Sequence, residues 1–172
     1  IYAFEMPLLC GTSAVLQEQW NPEAAVALID SGACTHMAGA TPFLDGLLGA
    51  AQQAGSRLPS LKVFICGGAS VPPALIRRAH EAFEKADVSR VYGSTEVPVL
   101  TIGALEEGEE DSAAETDGRI GIAEVKLDGG EVTARGAQML RGYLHLEDEA
   151  QAFTADGFFR MGDLGRQVFG DW

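Results

Sequence analysis

Leu61-Lys62-Val63-Phe64-Ile65-Cys66-Gly67-Gly68-Ala69-Ser70-Val71-Pro72-Pro73 is the stretch that decides the fold class. Its first six residues are a compact apolar run, which predicts a buried strand. Four small residues follow, the composition of a tight turn. Pro72-Pro73 then opens a helix, because proline suits a first helical turn. Leu75, Ile76, Ala79 and Phe83 recur at helical spacing up to about Lys85. Residues 89–92 read as the next strand. The same order appears upstream. Asn21 is a suitable N-cap, Pro22 fits the first helical position, good helix formers run to Asp30, and Gly32 ends the helix. Residues 34–38 read as a buried strand leading to Thr41-Pro42, and 43–53 as an apolar-faced helix closing at Gly55. Residues 13–17 add a short apolar strand candidate. Alternating strands and helices of this length imply parallel strands with helical crossovers. Ligands of such sheets gather at the carboxyl ends of strands. The turns at 67–69 and 92–96 both sit there.

Beyond residue 100 the character changes. Residues 106–117 hold seven carboxylates and no basic side chain, the pattern of a mobile, solvated loop. From Gly118 onward short strand candidates (120–127, 131–135 and 158–161) are separated by glycine turns, and Asp128-Gly129-Gly130 is a hairpin signal. The expected fold is therefore α/β: a parallel-strand subdomain over about 1–102, an acidic loop at 103–117, and a small β-rich, barrel-like subdomain over about 118–172.

The 172 residues suffice for one domain or two small subdomains, and 47% hydrophobic with 22% charged residues exclude disorder over the whole length. A net charge of −13 argues against nucleic acid or an anionic membrane surface as the main partner. It does not argue against a single nucleotide, whose phosphates a few backbone N–H groups and a cation can hold. No apolar run is long enough to cross a bilayer. Cys10, Cys34 and Cys66 are widely spaced in apolar surroundings, which suits reduced core thiols of a cytoplasmic protein. His36, His80 and His145 show no metal-ligand spacing. The start at Ile1, without Met or a basic leader, and the end at Asp171-Trp172, without a cap or polar tail, read as a fragment of a longer chain.

Tyr92-Gly93-Ser94-Thr95-Glu96 supports two readings. One is a turn in which Ser or Thr caps the following element. The other is a nucleotide site. Glycine at a strand end permits close approach of a ligand. Two hydroxyls can donate to phosphate oxygens, a carboxylate can help hold Mg²⁺, and tyrosine offers a flat face to a base. Gly67-Gly68-Ala69 is either a tight strand-to-helix turn or a backbone wall along a base. Asp163 is either a turn aspartate or a bidentate acceptor for two sugar hydroxyls.

Taken together and in order, these segments resemble the adenylate-forming superfamily of acyl-CoA synthetases, firefly luciferases and peptide-synthetase adenylation domains. The resemblance rests on Pro7-Leu8-Leu9-Cys10-Gly11 with Asn21-Pro22-Glu23, on Gly67-Gly68-Ala69-Ser70, and on Tyr92-Gly93-Ser94-Thr95-Glu96. It rests further on Arg135-Gly136 through Arg141-Gly142-Tyr143, and on Asp156-Gly157-Phe158-Phe159-Arg160-Met161-Gly162-Asp163-Leu164. It implies that Tyr92 stacks on adenine opposite the Gly67, Gly68 and Ala69 backbone. Gly93 and Ser94 would line the same site, Thr95 would contact the α-phosphate, Glu96 would hold Mg²⁺, and Asp163 would take the ribose hydroxyls. Gly39, Ala40 and Thr41 would lie near the acyl pocket, with His36 as a core or pocket-edge histidine without a proton-transfer role.

The implied chemistry is ATP-dependent conversion of a carboxylic acid, fatty or related, to acyl-AMP, followed by transfer to coenzyme A. The family's Ser/Thr/Gly-rich phosphate loop with its lysine would lie upstream of this chain, and its swinging C-terminal domain downstream. The chain alone is therefore expected to be inactive. Met161 also replaces the hydroxyl residue usual before Gly162-Asp163. Two alternatives are an amino-acid adenylation domain and a non-catalytic nucleotide-binding module. Phe4-Glu5-Met6 does not supply the aspartate with which the former usually holds a substrate ammonium.

Overall fold

The computed structural model describes residues 5–106 and 108–168, and of the side chains in that span all but that of residue 146. The readings placed on Phe4, on the first residues as chain in progress and on Asp171-Trp172 lie outside the described residues. The chain divides into two compact units, residues 1–88 and 89–172.

The first unit holds helix α1 (Glu5–Cys10), α2 (Pro22–Asp30), strand β1 (His36–Gly39), α3 (Thr41–Ala54), β2 (Val63–Gly67) and α4 (Pro73–Ala82). Asn21 caps α2 as expected: its extended backbone turns the chain, and its side-chain oxygen accepts from the Ala24 N–H at 2.7 Å. Strands β1 and β2 pair in parallel, with Gly39 opposite Cys66. Leu44, Leu47, Leu58, Leu61, Phe64 and Ile76 are fully buried in the unit's core. Each such side chain stabilises the fold by roughly 1.5–3 kcal/mol relative to exposure. The faces that α2, α3 and α4 bury follow the helical spacing of their apolar residues.

Two expectations fail here. Residues 13–17 form no strand, and Val15 and Leu16 are exposed. An apolar run forms a strand only where a neighbour accepts its ladder bonds. Cys10 is exposed and Cys34 half-buried, so only Cys66 is a core thiol. His36 opens β1, is exposed, and shares a 2.8 Å hydrogen bond between its Nδ1 and the Thr35 hydroxyl.

Strand β3 (Asp87–Tyr92) straddles the unit boundary. The second unit continues with β4 (Thr101–Ile102), α5 (Glu110–Glu115), β5 (Arg119–Ile120), β6 (Glu124–Asp128), β7 (Glu131–Arg135), α6 (Leu146–Ala152) and β8 (Phe159–Leu164). Strand β4 runs antiparallel to β3, with Tyr92 opposite Thr101, and β5 runs antiparallel to β4. The expected all-parallel pattern up to residue 102 therefore does not extend to β4.

The β6–β7 hairpin forms at the expected Asp128-Gly129-Gly130 turn, with Asp128 opposite Glu131, and β8 pairs with β7 on its other side. The barrel-like expectation for residues 118–172 is wrong. The sheet is open in the order β6-β7-β8, and among the described residues no sheet closes on itself. Closure needs enough strands, tilted and staggered, to bring the edges together; three short strands leave β6 and β8 as edges.

The acidic stretch also differs from a solvated loop. Part of it winds into α5, which buries Ala113 and Ala114. The Arg90 guanidinium, in a residue only 7% exposed, donates to the Ala114 carbonyl and lies 3.6 Å from the Asp117 carboxylate. A buried cation needs such partners. Thr101 Oγ1 donates to the Asp117 carbonyl at 2.5 Å, fixing the segment's end.

Candidate functional site

In the second unit the segment that follows β3 is anchored from below. Val97 and Leu100 are fully buried in an apolar cluster with Ala123, Val132, Ala134 and Phe159, and the half-buried ring of Tyr92 packs against it. Ser94 N donates to Val97 O at 3.1 Å, and Leu100 N to Tyr92 O at 2.7 Å, which closes the loop on itself. Gly93 is required by that closure. A Cβ there would stand 2.7 Å from Val97 O and 2.8 Å from Val99 N, both backbone atoms with little freedom to move.

The Ser94 hydroxyl oxygen accepts from the Glu96 and Val97 N–H groups at 3.2 and 3.1 Å. The segment is therefore a turn closed by the Ser94 side chain, although no helix or strand begins there for it to cap. This does not exclude a ligand role, because a hydroxyl that accepts two bonds still carries a proton to donate. Thr95 is exposed beside it.

Glu96 is half-buried, and the carboxylate is held below the usual range, first by its own backbone N–H, then by the Ser94 hydroxyl. The Tyr143 hydroxyl donates to Glu96 Oε1 at 3.2 Å, and Leu140 N donates to the Glu96 carbonyl at 2.7 Å. Tyr143 is in turn fixed by its own N–H, which donates to Glu149 Oε1 at 2.9 Å. Sequence reasoning gave Tyr143 no contact with Glu96. The only local signal was a hydroxyl-bearing aromatic after Arg141-Gly142.

Tyr92 and Asp163, 71 positions apart, meet directly: the phenol donates to Asp163 Oδ2 at 2.8 Å. Burial, then this bond to the carboxylate, pushes the phenol well above its ordinary range, so it stays protonated and remains a donor. An ionised carboxylate has about four acceptor sites, so one bond to Tyr92 leaves capacity for two sugar hydroxyls. Tyr92, Asp163, Thr101, Asp117 and Arg166 line a recess of about 130 Å³. Complete small-molecule pockets run to roughly 300 Å³ or more, so the recess suits one moiety of a ligand.

The first unit assembles the other candidates. Gly39, Ala40 and Thr41 form the passage from β1 into α3, and the Thr41 hydroxyl donates to Ser70 O at 3.0 Å. That bond ties the acyl-pocket candidates to the turn of Gly67, Gly68 and Ala69 after β2. Gly68 is exposed at φ +81°, and a Cβ on it would meet nothing within 4 Å. The turn thus presents bare backbone to open space. Only glycine holds such a conformation without strain.

Residues 1–144 match the family of AMP-binding enzymes. The chain belongs to that family. This chain is 30% identical over 179 residues to the medium-chain fatty-acid–CoA ligase of Escherichia coli K12, an alignment covering 96% of the chain and 31% of the relative. It is 34% identical over 176 residues to triostin synthetase I of Streptomyces triostinicus, covering 93% and 32%. Its fold superposes on an amide bond synthetase of Marinactinospora thermotolerans with a TM-score of 0.81 at 25% identity, covering 92% of the chain and 35% of that structure. The chain spans about a third of the length of the curated relatives it matches.

Among the described residues no group of three His, Cys, Asp or Glu side chains is placed to hold a metal ion, and no helix is long and apolar enough to cross a membrane.

Proposed function

We propose that the chain forms nucleotide-binding and acyl-binding parts of an ATP-dependent acyl-CoA ligase. The ligase activates a carboxylic acid, fatty or related, as acyl-AMP and passes the acyl group to coenzyme A. The observation that carries this reading is the hydrogen bond joining Tyr92 to Asp163. A tyrosine ring and a carboxylate joined in this way support the reading, because an adenosine calls for a flat face and an acceptor for two hydroxyls.

In this reading Tyr92 stacks on adenine and Asp163 accepts from the ribose hydroxyls. The backbone of Gly67, Gly68 and Ala69, exposed at the latter two, suits the flat face of a base, Gly93 lets the loop after β3 close, and Ser94 and Thr95 on that loop donate to the phosphates. Gly39, Ala40 and Thr41 border the acyl chain. Glu96 fits Mg²⁺ as an ionised, half-buried carboxylate. One or two carboxylates with substrate phosphates and waters suffice for that ion, which when bound would supply charge neutralisation at the phosphates. The substrate carboxylate attacks the α-phosphorus, the bond to pyrophosphate breaks, and the coenzyme A thiol later displaces AMP from the acyl carbon. The work of these residues is positioning and charge stabilisation. Magnesium dependence, a cytoplasmic location and a place in fatty-acid metabolism belong to the same reading. So does the inactivity of the isolated chain, which is supported by the third of a relative's length that it spans.

ATP–pyrophosphate exchange by the full-length protein, run against panels of carboxylic and amino acids, tests the reading. Stimulation by carboxylic acids without an amino group is expected. Stimulation by amino acids alone would favour the adenylation-domain alternative. No stimulation by any acid would favour a non-catalytic nucleotide-binding module.

A further inference from the structure

Strand β8 is irregular where it presents Asp163. Thr133 pairs with Arg160 and Glu131 with Leu164, so the single residue Val132 on β7 faces Met161, Gly162 and Asp163 on β8. Extra residues in one strand lose ladder partners, and a peptide N–H so displaced needs another acceptor. The Glu131 side chain supplies one. Its Oε1 accepts from the Gly162 N–H at 3.3 Å, while its Oε2 accepts from Arg160 Nη1 at 2.6 Å. Arg160 is braced a second time by Asp128, at 3.1 Å from Nη2. On the far side of Asp163, Gly165 N donates to Gly130 O at 3.0 Å. The segment carrying Asp163 is thus tied at both ends to the β6–β7 turn and the start of β7.

We propose that Glu131 is a positioning residue for the nucleotide. By holding the Gly162 N–H and Arg160 together, it fixes the bulge that aims the Asp163 carboxylate at Tyr92 and at the ribose hydroxyls. The inference rests on the reading of Asp163 as the ribose acceptor. An ion pair that merely joined two strands at the surface would contribute little and act on stability alone. A clip on the bulge acts on recognition of the sugar.

The test uses the full-length protein and the ratio of kcat/KM for ATP to that for 2′-deoxy-ATP and for 3′-deoxy-ATP in the adenylation step. In Asp163→Ala the ratio should collapse toward one. In Glu131→Ala it should fall at least about three-fold, mostly through KM, as expected when a positioning group is lost. Glu131→Gln keeps an oxygen for the Gly162 N–H and should recover most of the ratio. It also serves as the informative variant if Glu131→Ala does not fold. A ratio unchanged in a folded Glu131 variant whose melting temperature or total activity has dropped would overturn the proposal and leave a structural brace. An unchanged ratio in Asp163→Ala would instead overturn the ribose reading, and this inference with it.

Discussion

Two glycine turns at the ends of two strands do opposite things. The turn after β2 is open: the space beside Gly68 is empty, and its backbone is exposed. The loop after β3 is closed: the space a Cβ on Gly93 would need is filled by the loop's own backbone, with Val97 and Leu100 fully buried as anchors. In the first unit, then, the chain offers a bare peptide wall and small residues. In the second it offers side chains (Tyr92, Ser94, Glu96 and Asp163), each already held by another part of the same unit. A surface that binds flat groups needs room, whereas one that binds charge and hydroxyls needs fixed donors and acceptors. The contrast separates what each turn can offer a ligand.

Changes on the closed side should have the largest effects. Asp163→Ala in the full-length protein removes the acceptor for two hydroxyls. Hydrogen bonds to charged groups contribute about 1.5–3 kcal/mol each, so kcat/KM for ATP should fall about 100-fold or more. An effect below about three-fold would remove Asp163 from the site. Gly93→Ala should come next, and as a loss of stability. Forcing a methyl group against fixed backbone costs about 1–3 kcal/mol, measurable by chemical denaturation. Gly68→Ala should cost only about 1 kcal/mol, the strain of a side chain in a left-handed turn. Its main effect should be a raised KM for ATP, since the new methyl group stands in open space. If Gly93→Ala and Gly68→Ala proved equally destabilising, the distinction between closed and open turns would fail.

The smallest expected effect is on pH dependence. Glu96 has a lowered pKa in the folded protein, so its ionised form favours the native state above the ordinary glutamate range. That contribution is lost as pH falls through the lowered value. Ser94→Ala removes one of the causes of that lowering. The acid limb of the adenylation rate should therefore move to higher pH, with little change above neutrality. A limb that moved to lower pH would contradict the assignment.

What could be read from the sequence was what neighbouring residues decide. Asn21 and Pro22 announced a helix start because a cap and a first-turn proline act within three residues, and β7 spans 131–135 as expected after the Asp128-Gly129-Gly130 turn. The apolar run 61–66 flanked by small residues and prolines gave the strand-turn-helix unit, which is a local event. Closure of a sheet is not local. Whether β6, β7 and β8 curl into a barrel depends on strands finding one another, and no local turn signal carries that. Nor did the apolar character of Val15 and Leu16 reveal that, among the described residues, no partner strand covers them. The same limit applies to the site. Each half of the Tyr92–Asp163 pair was visible alone as an ambiguous turn residue. Only the fold joins them, just as only the fold brings Tyr143 to Glu96 and Glu131 to Gly162.

The most direct test of the central claim is a crystal structure of the full-length protein with AMP bound. The account predicts the ribose hydroxyls within hydrogen-bond distance of the Asp163 carboxylate and the base lying along the Tyr92 ring. AMP bound with its ribose away from Asp163, or with its base off Tyr92, would contradict it.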